Sequence, residues 1–233
     1  YVYAKFWKRF FDFILSLLAF IGFSPLLAIL TVIGAIAMRG NPFFTQARPG
    51  KIYKKTGKEK IFKLIKFRTM SNKKDENGNL LPDEARLNKY GKFLRSLSPD
   101  ELPSLVNILL GAVGLVGPRP FLARDCVFLT DEQRRRHTVR PGLTGLAQVN
   151  GRNNITWEQK FEYDLQYIDR GITFIGNLKT ILQTIGKVLK RSDIVREGTV
   201  SDIDYGDWLM MKGQVTKEEY EEKQTEAREL LNV

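Results

Sequence analysis

The chain has 233 residues, of which 43% are hydrophobic and 27% charged, with a single cysteine. This length predicts one domain with at most a small appendage. The charge content excludes a polytopic membrane protein, the hydrophobic content excludes a disordered chain, and one cysteine excludes an internal disulfide framework. The formal net charge of +11 predicts an anionic partner, which is nucleic acid, a phosphorylated substrate or an acidic lipid surface.

The first element along the chain is a long uncharged stretch. Residues 13–38 contain no Asp, Glu, Lys or Arg, and an apolar run of this length predicts a membrane helix. A straight helix of this length would extend about 39 Å, beyond the ~30 Å hydrocarbon core. Pro25 lies near its centre and removes a backbone donor, so we predict a break there, with the hydroxyl of the preceding Ser24 satisfying a freed carbonyl.

Basic residues flank this stretch on both sides, with Lys8 and Arg9 before it and Arg39 and Lys51 after it. Because positive charge marks the cytoplasmic side of a membrane, a re-entrant helix that enters and leaves by the same face explains this pattern. The alternative is a single span with a modest proline kink. Both topologies leave the rest of the chain on one face.

The elements after this anchor are mostly helical. A strand is predicted at 61–70 and a polar loop with a turn at Asn77-Gly78 follows it. Helices are predicted at 84–96, 102–110, 130–140, 157–169 and 173–191, and from the capping box that begins at Thr216. The helix at 173–191 is amphipathic with a basic polar face, which is typical of an interfacial membrane helix, although a core-packed helix has the same pattern. We expect an α/β fold that is mostly helical with a small β element.

An adjacent acidic pair, Asp100-Glu101, follows Ser98 and Pro99. One interpretation is purely structural, because Ser98 as N-cap and Glu101 three residues later form a capping box. The other is catalytic, since paired carboxylates among cations can hold Mg²⁺ and a carboxylate can attack phosphorus. Spacing alone favours the capping box.

Several basic residues lie in constrained local sequences. Lys66 and Arg68 share one face of the predicted strand, while Arg119 is stiffened by a proline on each side. Each alone is typical of a solvated surface charge, but together they form a candidate diphosphate clamp. The candidate substrate-binding residues are Lys66, Arg68, Arg95, Pro118, Arg119, Pro120 and Arg152.

Other common sites are not supported by the sequence. His137 follows three arginines and is predicted to be exposed, and Cys126 has no predicted histidine partner. No nucleotide-binding glycine motif and no zinc, helix-turn-helix or ribonucleoprotein signature occurs. We therefore expect no nucleic-acid partner.

Taken together, these segments resemble the bacterial sugar transferase family, the monotopic phosphoglycosyl transferases, and especially its small members built from the catalytic core alone. The resemblance extends over residues 5–200 in order, and it departs at Leu146, where a tryptophan is common, and at 112–114. The matching segments are KRFFDFILS, Ser24-Pro25, FTQARPG, KFRTM, LRSLSPDELPSLVNILLG, LVGPRP, RPGLTGLAQVNGRN and KVLKRS.

The resemblance implies transfer of a sugar-1-phosphate from a UDP-sugar to undecaprenyl phosphate, with release of UMP. It implies that Asp100 is the nucleophile that forms a covalent phosphosugar intermediate and that Glu101 completes the dyad and helps hold Mg²⁺. It also implies that Ser24-Pro25 makes the anchor re-entrant. The basic residues that match positions expected to bind phosphates or nucleotide are Lys66, Arg95, Arg119 and Arg152.

The expected organisation is a re-entrant anchor at 1–40, a cytosolic catalytic domain at 41–200 and a C-terminal extension at 201–233. The expected location is the cytoplasmic face of a bacterial inner membrane, in contact with membrane lipids. The sequence does not decide the oligomeric state, and the charged C-terminal helix is a candidate for pairing in a homodimer. The rival interpretation is a non-catalytic basic membrane adaptor that binds acidic lipid or nucleic acid.

Overall fold

The computed structural model describes residues 2–151, 154–190 and 203–231. The fold is mostly helical with two small sheets, as the sequence predicts. The strands are β1 (Phe43–Ile52), β2 (Glu59–Phe67), β3 (Gly114–Val116) and β4 (Gly142–Thr144). The α-helices are α1 (Lys8–Met38), α2 (Asp83–Arg86), α3 (Lys89–Leu97), α4 (Ser104–Leu109), α5 (Ala123–Cys126), α6 (Asp131–Arg134), α7 (Leu146–Val149), α8 (Trp157–Asp169), α9 (Phe174–Leu189), α10 (Tyr205–Met211) and α11 (Lys217–Leu231).

The apolar stretch forms α1, which is long and apolar enough to cross a membrane. Helix α1 is continuous from Lys8 to Met38 and is not interrupted at Pro25, where the sequence predicted a break. Pro25 cannot donate to the carbonyl of Ile21, four residues earlier. The Ser24 hydroxyl donates to that same carbonyl over 2.7 Å, as the sequence predicts. The serine therefore satisfies the acceptor that the proline leaves open, which matters in a medium without water.

Both ends of α1 contact the globular part of the chain. Near its start, Arg9 donates to the carbonyls of Ile108 and Leu109 over 2.5 and 2.7 Å. Near its end, the Tyr90 hydroxyl on α3 donates to the carbonyl of Leu30 over 2.8 Å. A Cβ atom on Gly34 would lie 2.7 Å from the Tyr90 hydroxyl, so a larger residue would force this contact apart.

The predicted strand at 61–70 is β2, which pairs antiparallel with β1. β1 was not predicted, because Pro49 and Gly50 near its end are typical of a turn. Helix α4 is tied to β2 by two buried side chains: Ser104 donates to the carbonyl of Ile65, and Asn107 accepts from the amide of Ile65. These bonds fix β2 against the segment that carries the acidic pair.

β3 and β4 form a two-residue parallel ladder, with Gly114 opposite Gly142. The two segments approach closely, since a Cβ atom on Gly142 would lie 2.1 Å from the amide nitrogen of Gly117. Only glycine fits at Gly142 without moving the backbone. This ladder brings the segment that contains Arg119 beside the chain that enters α7.

Several predicted helices differ at their ends. The range 84–96 is divided into α2 and α3, because the Asn88 side chain accepts from the amide of Gly91 and starts a new helix. The range 130–140 ends in a 3₁₀ turn at Arg135–Thr138, before the non-helical backbone that precedes Pro141. The predicted bounds at 157–169 are those of α8, and the predicted capping box at Thr216 forms.

Helix α9 presents its apolar side chains outward. Its buried residues are the polar Asn177 and Thr180. Large hydrophobic residues are exposed along the helix, at Phe174, Ile175, Leu178, Leu182, Ile185 and Leu189. A core-packed helix has the opposite arrangement, so the structure favours the interfacial alternative for this helix.

The described part of the C-terminal extension packs on the globular domain. Tyr205 is 5% exposed and lies among the rings of Phe121, Trp157 and Phe161. Its backbone amide donates to the buried Asp125 carboxylate over 2.9 Å. Residues 203–231 are thus an integral layer over one aromatic cluster.

Candidate active site

The acidic pair lies on a single 3₁₀ turn, Pro99–Glu101. Ser98 precedes it in the left-handed region, with φ of 58°, and makes no side-chain cap bond to the turn. The predicted capping box is therefore wrong, because the Ser98 side chain makes no cap bond, and the Glu101 carboxylate binds two cations. A non-glycine residue at positive φ is strained, and such strain is frequent at functional sites.

Glu101 is held by two cations from distant parts of the sequence. Lys66 Nζ on β2 lies 2.7 Å from Glu101 Oε1, and Arg119 Nη2 lies 2.8 Å from the same oxygen. The side chains of Glu101 and Lys66 are 15% and 19% exposed, so their charge-assisted bond is largely shielded from water, while Arg119 is 38% exposed. Three of the predicted residues therefore meet at one point.

Asp100 is in a different electrostatic position from its neighbour. Among the residues that the structure describes, none donates a hydrogen bond to its carboxylate. Burial, followed by repulsion from Glu101, raises its pKa to about 6, while Lys66 and Arg119 oppose this shift. The carboxylate is therefore ionised at neutral pH without being strongly stabilised, and such a group retains its nucleophilicity.

Arg48 was not among the residues that the sequence predicted for the site. It lines a small cavity beside the dyad together with Lys66, Glu101 and Arg119. Burial, with further repulsion from Arg119, lowers its pKa to about 10. Its place in the segment FTQARPG, one of those that resemble the family, was the available signal.

The other predicted residues are distributed around this centre. Arg95 on α3 donates to the Thr69 hydroxyl over 3.3 Å, and its charge acts on Asp100. Arg68 lies one residue beyond the end of β2, and its amide donates to the carbonyl of Pro42 over 2.7 Å. Pro118 and Pro120 flank Arg119, and Pro120 lines the small cavity. Arg152 lies outside the described residues.

Asp100 and Glu101 fit a magnesium ion by the chemistry of their oxygens. Mg²⁺ is usually held by one or two carboxylates, with water and phosphate oxygens as the remaining ligands. Within the described ranges, no group of three or more His, Cys, Asp and Glu side chains could hold a metal. The dyad would therefore hold the ion together with the phosphates of a substrate.

A second, larger cavity of about 510 Å³ borders the same residues. It reaches Glu101 and Arg119 at one end. Its walls are mainly apolar side chains of α1 and α9, including Phe23, Leu26, Ile181, Ile185 and Leu189. The charged centre thus opens toward the surface that carries the exposed apolar residues.

Two predictions about His137 and Cys126 are wrong. His137 is 5% exposed, and its Nδ1 lies 3.1 Å from Glu59 Oε1. Its Nε2 lies 3.9 Å from Cys126 Sγ, so the cysteine does have a histidine partner. Burial raises the pKa of the thiol to about 12, which leaves it protonated and unreactive at neutral pH. These three residues, Glu59, His137 and Cys126, therefore form a structural cluster, the His137 cluster.

Comparison with known proteins covers most of the chain. A family model described as bacterial sugar transferase matches residues 3–191. The uncharacterized sugar transferase EpsL of Bacillus subtilis (strain 168) is 45% identical over 83% of this chain and 93% of its own length. Exopolysaccharide production protein ExoY of Rhizobium meliloti (strain 1021) is 31% identical over 78% of this chain and 84% of its own length.

A longer relative is the UDP-glucose:undecaprenyl-phosphate glucose-1-phosphate transferase of Klebsiella pneumoniae, 37% identical over 77% of this chain. The aligned region spans only 39% of that relative. The described helices α10 and α11 lie beyond the matched family region, whereas the dyad and its cations lie inside it. The extent of the family match and the identity to EpsL show that the chain belongs to the bacterial sugar transferase family and is a transferase.

Proposed function

We propose that the protein transfers a sugar-1-phosphate from a UDP-sugar to undecaprenyl phosphate, through a phosphosugar carried by Asp100. The observation that carries this proposal is the contrast within the dyad. Glu101 is fixed by Lys66 and Arg119, while the Asp100 carboxylate, with its pKa raised to about 6, receives no hydrogen bond from a described residue. The Glu101 carboxylate is thus held in place, while the Asp100 carboxylate is available to attack phosphorus.

The reaction has two displacements at the same phosphorus. An Asp100 oxygen attacks the phosphorus next to the sugar, the bond from that phosphorus to the bridging oxygen of UMP breaks, and UMP leaves with the electron pair. An oxygen of undecaprenyl phosphate then attacks the phosphorus and the bond to Asp100 breaks. The carboxylate returns to its starting state, as covalent catalysis requires.

The cations of the site supply the electrostatic part of the mechanism. Lys66, Arg119 and Arg48 surround one carboxylate at the small cavity, so the site retains positive charge for the diphosphate. Preorganised cations of this kind stabilise charge that develops as the leaving group departs. Mg²⁺, when held by Asp100 and Glu101, offsets the repulsion between a carboxylate and an anionic diphosphate.

The membrane arrangement suits a lipid acceptor whose phosphate lies at the bilayer surface. Both ends of α1 contact one globular domain, which supports an anchor that enters and leaves by the same face over a single span, even though α1 is continuous through Pro25. The exposed apolar face of α9 supports a position at the interface. The cavity of about 510 Å³ leads from these surfaces to Glu101 and Arg119, and its apolar walls suit an isoprenoid chain. We place the active site on the cytoplasmic face.

The adaptor hypothesis explains fewer of these features. A surface that only binds acidic lipid or nucleic acid gains nothing from a carboxylate that neutralises Lys66 and Arg119 at its centre. The charged centre also lies at the end of an apolar cavity, rather than on an open basic face. The half-buried dyad therefore favours chemistry over simple anion binding.

The test is UMP release from a panel of UDP-sugars, with undecaprenyl phosphate and Mg²⁺ in mixed micelles. We expect release with at least one sugar and none above background with Asp100→Asn, because the nucleophile is removed. Asp131→Asn is the matched control, since Asp131 is exposed at the start of α6. Wild-type protein that releases no UMP from any sugar would refute the proposal.

A further inference from the structure

Each backbone carbonyl of the Pro118-Arg119-Pro120 segment accepts a hydrogen bond from elsewhere in the fold. The carbonyl of Pro118 accepts from the Gly142 amide over 2.9 Å. The carbonyl of Arg119 accepts from Arg136 Nη2 over 2.6 Å, and that of Pro120 accepts from Arg48 Nη1 over 3.0 Å. Two arginine side chains thus bind consecutive carbonyls of one three-residue segment.

Arg136 is among the most deeply buried side chains described, at 1% exposure. Its Nε and Nη2 lie 3.0 and 2.7 Å from Asp164 Oδ2, and Asp164 is 2% exposed. The guanidinium carbon lies 3.4 Å from the centre of the Phe121 ring. Salt bridge, ring and carbonyl together determine where the guanidinium lies.

Stability alone does not explain this pair. Desolvating two charges is expensive, and replacing a buried ion pair by well-packed apolar residues is often neutral or stabilising. The guanidinium here has a second contact, because the Nη2 that binds Asp164 also binds the carbonyl of Arg119. The pair therefore holds the Arg119 carbonyl in place, which an apolar replacement could not do.

The position of the Arg119 backbone in turn determines how its side chain meets the dyad. Pro120 biases Arg119 toward an extended backbone, and the bond from Arg136 to its carbonyl fixes the direction in which its side chain leaves. The Arg119 guanidinium then lies 2.8 Å from Glu101 Oε1. A continuous series of contacts runs from Asp164 through Arg136 and Arg119 to Glu101.

We propose that Arg136, held by Asp164, is a positioning residue that fixes Arg119 against the dyad by binding its backbone carbonyl. The proposal rests on the function proposed above, in which Arg119 stabilises the reacting diphosphate. Arg48 has a similar bond to Pro120, but it also lines the cavity, so Arg136 gives the cleaner test.

The test variant is the double substitution Arg136→Met with Asp164→Leu, which removes the pair without leaving a buried charge alone. We expect kcat for UMP release to fall about 100-fold, since a small displacement of a catalytic group has an effect of this size. In an Arg119→Ala background the same double substitution should lower kcat by less than about 3-fold, because the residue it positions is already absent.

The buried pair Lys8–Asp12 provides the matched control. The two side chains lie 2.6 Å apart and are 10% and 7% exposed, and they make no described contact with Arg119. Lys8→Met with Asp12→Leu should change kcat for UMP release by the same factor in the wild-type and Arg119→Ala backgrounds. If Arg136→Met with Asp164→Leu lowers kcat by the same factor in both backgrounds, the positioning role is overturned. The proposed function would remain intact.

A second readout does not depend on activity. In the Arg136→Met, Asp164→Leu protein, hydrogen exchange should become faster in peptides that contain the Gly117 and Gly142 amides. These amides donate to the carbonyls of Thr144 and Pro118, respectively. Peptides from α4, which carries neither substitution, should keep their protection, which shows that the protein is folded. Unchanged exchange at Gly117 and Gly142 would contradict the proposal even if no UDP-sugar is turned over.

Discussion

Lys66 and Glu101 are 35 positions apart in the sequence, yet their side chains form a 2.7 Å ion pair beside Asp100. The pair fixes one carboxylate of the dyad and supplies a cation next to the other. The repulsion that Glu101 exerts on Asp100 is a cost of this arrangement. That cost leads to a prediction about stability.

We expect Asp100→Asn to be more stable than the wild type at pH 8 in metal-free buffer. The folded-state pKa of Asp100, raised from 3.8 to about 6, means that its charged form opposes folding above that pH. The gain in free energy of unfolding should be about 1–2 kcal/mol. It should shrink as the pH falls from about 6 toward 4. Thermal unfolding with a chelator present measures it.

Asp131→Asn again provides the control and should show no such gain. An Asp100→Asn protein that unfolds more easily than the wild type at pH 8 would mean that Asp100 is stabilised by its surroundings. Such a result would contradict the electrostatic account of the dyad.

Glu59 has the opposite relation to pH. Burial alone would raise its pKa, but hydrogen bonds from His137 and Arg134 outweigh that effect and lower the pKa to about 2. Its stabilising contribution is therefore present above the ordinary carboxyl pKa and is lost as the pH falls toward 2.

Glu59→Gln should lower the free energy of unfolding at pH 7 by about 2 kcal/mol, with allowance for partial solvent contact. The difference should begin to shrink below about pH 4.5, and urea unfolding at pH 7 and pH 4 measures it. Glu132→Gln, which removes an exposed partner of Arg135, should change stability by less than about 0.5 kcal/mol. Equal effects from the two substitutions would show that the His137 cluster does not stabilise the fold.

These clusters show what could be predicted from the sequence. Local patterns predicted α8, the Thr216 capping box and β2, since each depends on residues within one element. The burial of His137 could not be read from its basic neighbours, because it depends on Glu59, 78 positions away. The capping box at Ser98 failed for the same reason, since two distant cations compete for Glu101 and a charge-assisted pair outweighs a single cap bond.

The anchor topology can be tested by labelling single introduced cysteines. Lys5→Cys and Asn41→Cys place thiols at exposed positions on either side of α1, and Lys54→Cys reports the face of the globular domain. A membrane-impermeant maleimide should label all three from the same side of sealed vesicles. The native Cys126 should stay unlabelled because burial raises its thiol pKa to about 12. Labelling of Lys5→Cys from the opposite side would establish a single span.

The C-terminal layer should contribute measurably to stability. Tyr205→Ala removes a ring packed 5.0 Å from those of Trp157 and Phe161, and should lower the free energy of unfolding by about 3 kcal/mol. Tyr205→Phe removes only the hydroxyl and its bond to Gln133, so it should cost about 1 kcal/mol. Unfolding followed by tryptophan fluorescence measures both. A Tyr205→Ala protein as stable as the wild type would show that α10 is not integral to the domain.

The covalent intermediate is the central claim, and intact-protein mass spectrometry tests it most directly. Wild-type protein mixed with Mg²⁺ and a UDP-sugar that supports UMP release, without undecaprenyl phosphate, should gain the mass of one sugar phosphate. Peptide mapping should locate that mass on Asp100, and later addition of undecaprenyl phosphate should remove it. An adduct on another residue, or full turnover by Asp100→Asn, would contradict the account.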